Sequence, residues 1–228
     1  HLCHLASTYY PSGFKESLLV SYDGTGEIDT GAFAHGKDGS IKIFKDARNQ
    51  YPNSLGLIYS AITYYLGWKH HCDEGIIMGL APYGNPHAKL KNNKLSYIDI
   101  FRKIILYDKK KDELKYIINP EWISYHKIRD KWVSDKFIKT FGKKKPYTKK
   151  VSQHVKNIAA ALQFRLEEVV LSQLKVLKKK KNSKYLCISG GVGLNCSLNG
   201  KIRESNIFKE IFIQPASGDA GVAYGACL

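Results

Sequence analysis

The sequence predicts an α/β protein whose glycine-rich loops close buried strands, and three observations predict it. From Ser152 to about Lys179 the apolar residues recur at helical spacing along one stripe. Three short apolar runs, Ser17–Tyr22, Lys184–Ser189 and Glu210–Gln214, read as strands. Each run leads into a loop holding two glycines: Asp23-Gly24-Thr25-Gly26, Gly190-Gly191 and Ser217-Gly218-Asp219-Ala220-Gly221. The order helix, strand, turn, helix, strand, turn, helix at the C-terminal end is that of an α/β lobe, which binds ligands at its strand ends.

Taken in order, the chain opens on His1-x-x-His4, the end of a helix. Ser17–Tyr22 follows as a strand closed by a turn at Asp23–Gly26. Gly31–Gly36 and Ser40–Phe44 pair as a hairpin or meander around Lys37-Asp38-Gly39. Asn53 or Ser54 caps a helix running to about Leu66, with Leu55, Ile58, Ile62, Tyr65 and Leu66 on one face and Gly67 as its stop. Glu74–Gly84 is punctuated by glycines, and residues 85–150 are polar, lysine-rich and weakly periodic, an insertion with short elements. After the long helix and its strand come a helix over Gly193–Ser205, a strand, and a last helix over Gly218–Ala226.

The 228 residues are enough to bury a sizeable core, and 43% hydrophobic with 25% charged residues describes a soluble globular chain. No apolar run is long enough for a bilayer span, and no charged-then-apolar stretch in the sequence marks secretion. Cys3, Cys72, Cys187, Cys196 and Cys227 are odd in number and never spaced C-x-x-C, which points to reduced thiols in the cytoplasm rather than disulfides or a zinc knuckle. The formal net charge of +16 gathers in lysine patches at Lys109–Lys111, Lys143–Lys145, Lys149–Lys150 and Lys178–Lys181. Aromatic residues are not interleaved with these lysines as single-strand binding needs, so a solvated lysine surface is read here and nucleic acid is not expected as a partner.

Glycine at a strand end lets backbone N–H groups approach an anion or nucleotide. Ser189-Gly190-Gly191-Val192-Gly193-Leu194-Asn195 has neither the Walker A lysine nor G-x-G-x-x-G, so it is no P-loop or Rossmann turn. Any one of the three loops is explained by packing alone, and Asp219 by N-capping of the last helix. Three together, two carrying an aspartate, are the means by which hard metal ions and phosphates are held. His1 and His4, spaced i,i+3 on a helix, share a face that can ligate a metal, although two histidines near a terminus are also explained as incidental.

These residues, in this order, resemble the nodulation-type O-carbamoyltransferases. The blocks are His1–Ser12, Asp23–Glu27, Ser54–Gly67, Glu74-Gly75 with Met78–Gly84, Asn157–Gln163, Gly190–Val192 with Asn195-Cys196, and Gln214–Ala216 with Gly218–Gly221. The resemblance implies an actin-like ATPase (ribonuclease H-like) fold related to the tRNA threonylcarbamoyl transferases, incomplete at the N-terminus. Residues 1–84 then end a first lobe and begin a second, 85–150 are a variable insertion, and 151–228 form the nucleotide-binding lobe. It implies a divalent metal (iron, zinc, manganese or magnesium) on His4, Asp23 and Asp219, and ATP or AMP against Gly24, Gly26, Gly190, Gly191, Val192 and Asn195. It implies transfer of a carbamoyl group from carbamoyladenylate to a hydroxyl of a small molecule, the adenylate being made from carbamoyl phosphate and ATP by a C-terminal activating domain beyond this chain. Ile76 stands where the family has lysine, which weakens any phosphate or carbamoyl contact from that loop, and a further histidine ligand would precede His1. No residue is assigned a catalytic role. Two other classes compete: an actin-like ATPase or sugar kinase, which would release ADP rather than AMP, and a degenerate nucleotide-binding module.

Overall fold

A computed structural model describes residues 1–91, 94–111, 113–128, 130–144 and 150–228. Of the lysine patches, Lys145 and Lys149 lie outside the described residues. In chain order the elements begin with α1 (Leu2–Tyr9), β1 (Glu16–Gly26), β2 (Asp29–Lys37), β3 (Ser40–Ile43) and β4 (Asn49–Gln50). Then follow α2 (Leu55–Tyr65), α3 (Glu74–Leu80), α4 (Tyr97–Ile104), β5 (Ile105–Leu106), β6 (Ile117–Ile118) and α5 (Asp135–Phe141). The chain continues through α6 (Gln153–Lys180), β7 (Tyr185–Ser189), α7 (Cys196–Glu204), β8 (Glu210–Ile213) and α8 (Ala220–Cys227). It forms an α/β structure in two compact units. One gathers His1–Gly56, Asp108–Tyr116 and Val169–Leu228, the other Leu57–Tyr107 and Ile117–Glu168.

The first unit is built on a mixed sheet of order β3-β2-β1-β7-β8, with β4 paired to β2. The first three strands form an antiparallel meander, and β7 then lies parallel to β1 with β8 parallel to β7. Because Leu19 pairs with Cys187, both ends of the sequence share one sheet. The pleat places Leu19, Ala32, Ala34 and Cys187 on one face, where Leu5 and Tyr9 of α1 cover them. Leu18, Val20, Tyr22, Phe33, Leu186 and Ile188 are buried too, so the central strands read as near-continuous apolar runs. The turn after β1 differs from the sequence expectation. The strand continues through Asp23–Gly26 with a register break after Tyr22, and the reversal comes at Glu27, whose φ is 59°.

In the second unit, α3 was not expected, because Gly75 and Gly79 lower helix propensity. Both glycines face open space, while Ile77 is fully buried, and that burial holds the helix. A capping box starts α4: Ser96 accepts from the Asp99 N–H and Asp99 reaches back to the Ser96 N–H. Ile98, Ile100, Phe101 and Ile104 then supply its buried face. Arg165 of α6 is buried and donates to the Ile105 carbonyl from Nε (3.0 Å) and Nη2 (2.7 Å), and to Glu168 from Nη1 (2.9 Å). Arg165→Met is expected to lower unfolding stability by about 2–3 kcal/mol in urea titration, because the buried Ile105 carbonyl loses its donors while Glu168 keeps those of Arg102, from Nε at 3.1 Å and Nη2 at 2.6 Å. A loss under about 1 kcal/mol would mean that water satisfies the Ile105 carbonyl in its place. Among the described residues no helix is long and apolar enough to cross a membrane.

Candidate functional site

The site grows from the ends of β1, β7 and β8 in the first unit. Helix α1 carries His4 with its side chain only 4% exposed. Close packing between α1 and α8 is possible because α8 is small-residue rich; a Cβ on Gly225 would lie 1.9 Å from the Cys3 carbonyl oxygen. That approach delivers Asp219, at the start of α8, to His4. His4 Nε2 lies 3.2 Å from Asp23 Oδ2 and 3.6 Å from Asp219 Oδ1. The ligand-type atoms of His4, Asp23 and Asp219 all fall within 4.8 Å of one another.

Asp23 is fixed from several sides. Its Oδ1 accepts the Gly191 N–H at 3.1 Å, and its backbone carbonyl accepts the Ser54 hydroxyl at 2.9 Å. Gly56 lies so close to the Asp23-Gly24 backbone that a Cβ there would meet the Asp23 oxygen at 2.7 Å. Burial pushes the Asp23 carboxyl up, but hydrogen bonds from His4 and from the Gly24 and Gly191 amides outweigh it and hold it below the usual aspartate value. Asp219 makes no N-capping hydrogen bond, contrary to the capping expectation, and its side chain is 92% exposed except toward His4. One imidazole nitrogen can donate one hydrogen, yet two carboxyl groups converge on it. A divalent cation would match that N,O,O donor set and its charge better than a hydrogen bond does.

The nucleotide-loop candidates divide. Gly190, at φ 86°, sits where a Cβ would be 2.2 Å from the Tyr22 oxygen, so only glycine fits. Gly191 begins a short 3₁₀ turn over Gly191–Leu194, with its N–H on Asp23 and Val192 buried beneath. Gly193 packs on Ser217, which joins this loop to the Asp219 loop. Asn195 caps α7, its Oδ1 accepting from the Leu198 N–H at 2.9 Å. Gly24 and Gly26 lie in the irregular end of β1, Gly26 against the His1 ring. His1 stands beside the three-residue set, its ring 6.1 Å from that of His4 and its Nδ1 3.3 Å from Ser21 Oγ. The contacts by which Ser54, Gly56, Gly225 and Ser217 support the site are not legible in the sequence, where Ser54 reads only as a helix-cap candidate, because their partners are distant in the chain. Gly225→Val should push α8 from α1 and part Asp219 from His4 without touching either. Its check is divalent-metal titration, with tenfold or greater weakening expected on the order of a lost ligand contact.

Comparisons with known protein families and curated proteins place the chain among relatives. The family model described as "Carbamoyltransferase N-terminus" matches residues 1–228. An uncharacterized protein of Synechocystis is 36% identical over 230 residues, covering 100% of this chain and 35% of that protein. Nodulation protein NolNO of Sinorhizobium fredii is 36% identical, covering 100% of this chain and 30% of its own length. Nodulation protein NolO of Bradyrhizobium diazoefficiens is 35% identical, with 100% and 37% covered. The chain therefore spans about a third of the length of these curated relatives.

Proposed function

Since the chain belongs to the carbamoyltransferase family, whose N-terminal model it matches throughout, we propose that it binds a divalent metal and an adenine nucleotide and transfers a carbamoyl group from carbamoyladenylate to a hydroxyl of a small molecule. The observation that carries this is the convergence of His4, Asp23 and Asp219 beside the Gly190-Gly191 loop. An actin-like fold is part of the proposal, and an antiparallel meander followed by two parallel strands reached through helices supports it. Formation of the adenylate from carbamoyl phosphate and ATP is assigned to a further domain, in keeping with the greater length of the relatives.

Each residue then has a task. His4, Asp23 and Asp219 would hold the cation, and a bound divalent ion supplies Lewis-acid polarisation of carbamoyl or phosphate oxygens. Gly190 gives the loop a surface free of side chains, so the nucleotide phosphate can approach the backbone. Asp23 links the two halves: one oxygen faces His4 and the other orders the Gly191 amide. The hydroxyl oxygen attacks the carbamoyl carbon and loses its proton to solvent, the bond from that carbon to the phosphate oxygen breaks, and AMP leaves with the electron pair. Oriented backbone dipoles in a partly buried loop stabilise developing phosphate charge without reorganising.

The nucleotide product tests the reaction class. The chain supplied with carbamoyladenylate, metal and a hydroxyl acceptor should release AMP. Supplied with ATP and acceptor alone, it should release no ADP; steady ADP formation would instead make it a kinase or ATPase.

A further inference from the structure

Gln214 lies outside both the metal set and the nucleotide loops, yet it touches the elements that carry two of the metal residues. It follows β8 directly and is buried, and its backbone N–H donates to the Ile188 carbonyl of β7 at 3.1 Å. That bond fixes its backbone on the sheet. Its side-chain amide then reaches in two directions. Nε2 donates to the Ser7 carbonyl of α1, and Oε1 accepts the Ala216 N–H at 3.2 Å. The partners decide which end of the amide is which, since a carbonyl needs an N–H and an N–H needs an oxygen.

The Ser7 carbonyl depends on this amide for a reason written in the sequence. The Tyr10 N–H closes the last turn of α1 on the Ala6 carbonyl. The next carbonyl along is that of Ser7, and the residue four positions on is Pro11, which has no N–H to give. Ser7 is fully buried, so water does not replace the missing helix donor. Gln214 supplies it, and a buried carbonyl left without a donor is costly. The same side chain thereby joins α1, which carries His4 three residues before Ser7, to the loop that carries Asp219 three residues after Ala216.

Asp219 needs such a restraint. Its side chain is 92% exposed, makes no capping bond and lies 3.6 Å from His4 Nε2, so its place is set by the backbone beneath it. That backbone folds tightly over Gln214: a Cβ on Gly221 would stand 2.2 Å from the Ala216 carbonyl oxygen and 3.5 Å from Gln214 Cγ. Metal coordination tolerates ligand displacements of only about 0.2 Å, so a small shift of the loop separates Asp219 from the other two ligands.

We propose that Gln214 is a positioning residue, whose amide holds the Asp219 loop against α1 and so fixes the spacing of His4 and Asp219. The brace itself is independent of any ligand; its service to metal binding rests on the assignment of His4, Asp23 and Asp219 as the metal site.

Manganese titration of the 228-residue chain, with hydrogen exchange of the metal-free protein alongside, tests it. Gln214→Met, close in length but without the amide, should weaken manganese binding about tenfold, as loss of a group that orients a ligand does. Gln214→Glu keeps an oxygen for the Ala216 N–H and removes only the donor to Ser7. It should weaken binding too, and it serves if the methionine variant does not fold. Thr8→Val is the control. Thr8 Oγ1 donates to the Ile188 carbonyl at 3.0 Å, so this change removes a buried bond between α1 and the sheet without reaching the Asp219 loop. Manganese affinity there should stay within twofold.

Because Gln214 acts through Asp219, adding Gln214→Met to Asp219→Asn should weaken binding less than twofold further. In the metal-free protein, Gln214→Met should speed amide exchange over residues 216–222 at least tenfold, and Thr8→Val should not. Manganese affinity unchanged in both Gln214 variants would overturn the proposal, as would unchanged exchange over the loop. A full tenfold loss on top of Asp219→Asn, or a loss in Thr8→Val equal to that in Gln214→Met, would overturn it equally. A wild-type chain that bound no manganese would remove the metal reading alone, and hydrogen exchange would then decide whether Gln214 holds the loop.

Discussion

Asparagine at position 23 or 219 is expected to weaken divalent-metal binding on the order of a hundredfold, because each change removes one of few anionic ligands while keeping shape. The two variants report different things. Asp219 has a 92% exposed side chain and no capping bond, so its loss should leave unfolding stability almost unchanged. Asp23→Asn keeps an oxygen for the Gly191 amide, so the loop can stay in place while the charge facing His4 disappears. Isothermal titration with manganese and zinc on the wild type and both variants is the check. Equal affinity in all three would reduce the cluster to an ordinary histidine–carboxylate contact.

Gly191→Val should abolish AMP and ATP binding while far-ultraviolet circular dichroism stays the same. A Cβ at Gly191 would stand 3.1 Å from Asp23 Oδ1, tighter than side chains normally pack, and the valine methyls extend that crowding over the face of the loop. The amide bond to Asp23 would stretch, and the surface a phosphate needs would be filled. The cost in stability should be about 1–3 kcal/mol, that of overpacking. Position 190 is a poorer choice, because a Cβ 2.2 Å from the Tyr22 carbonyl would disturb the sheet itself. Unaltered nucleotide binding in Gly191→Val would leave the loop as a packing turn.

What was legible in the sequence follows from where the physical signal is local. The long apolar stripe marked α6 to within a residue or so at each end, and the runs before Gly190 and Pro215 marked β7 and β8. The pairing of β7 with β1 has no local signature, since it joins residues some 170 positions apart, as Leu19 with Cys187. Helix α3 was hidden by its glycines, and α4 was passed over although Ser96 and Asp99 spell a capping box before an apolar run. In the site, spacing pointed only to the His1–His4 pair, and His4, Asp23 and Asp219 were brought together as one set by motif resemblance. Their approach depends on Gly225 against Cys3 and Gly193 against Ser217, close contacts that no periodicity announces. The role of Asp219 was also misjudged locally: an aspartate ahead of a helix reads as a cap, but here its carboxyl turns to His4.

The central claim is tested most directly by following carbamoylated product and AMP together, from supplied carbamoyladenylate and a hydroxyl acceptor, with and without divalent metal. Product and AMP should appear in equal amounts, disappear when the metal is chelated, return when it is restored, and be lost in Asp23→Asn. Transfer that continues at the same rate under chelation and in Asp23→Asn would contradict the assignment of His4, Asp23 and Asp219 to the reaction.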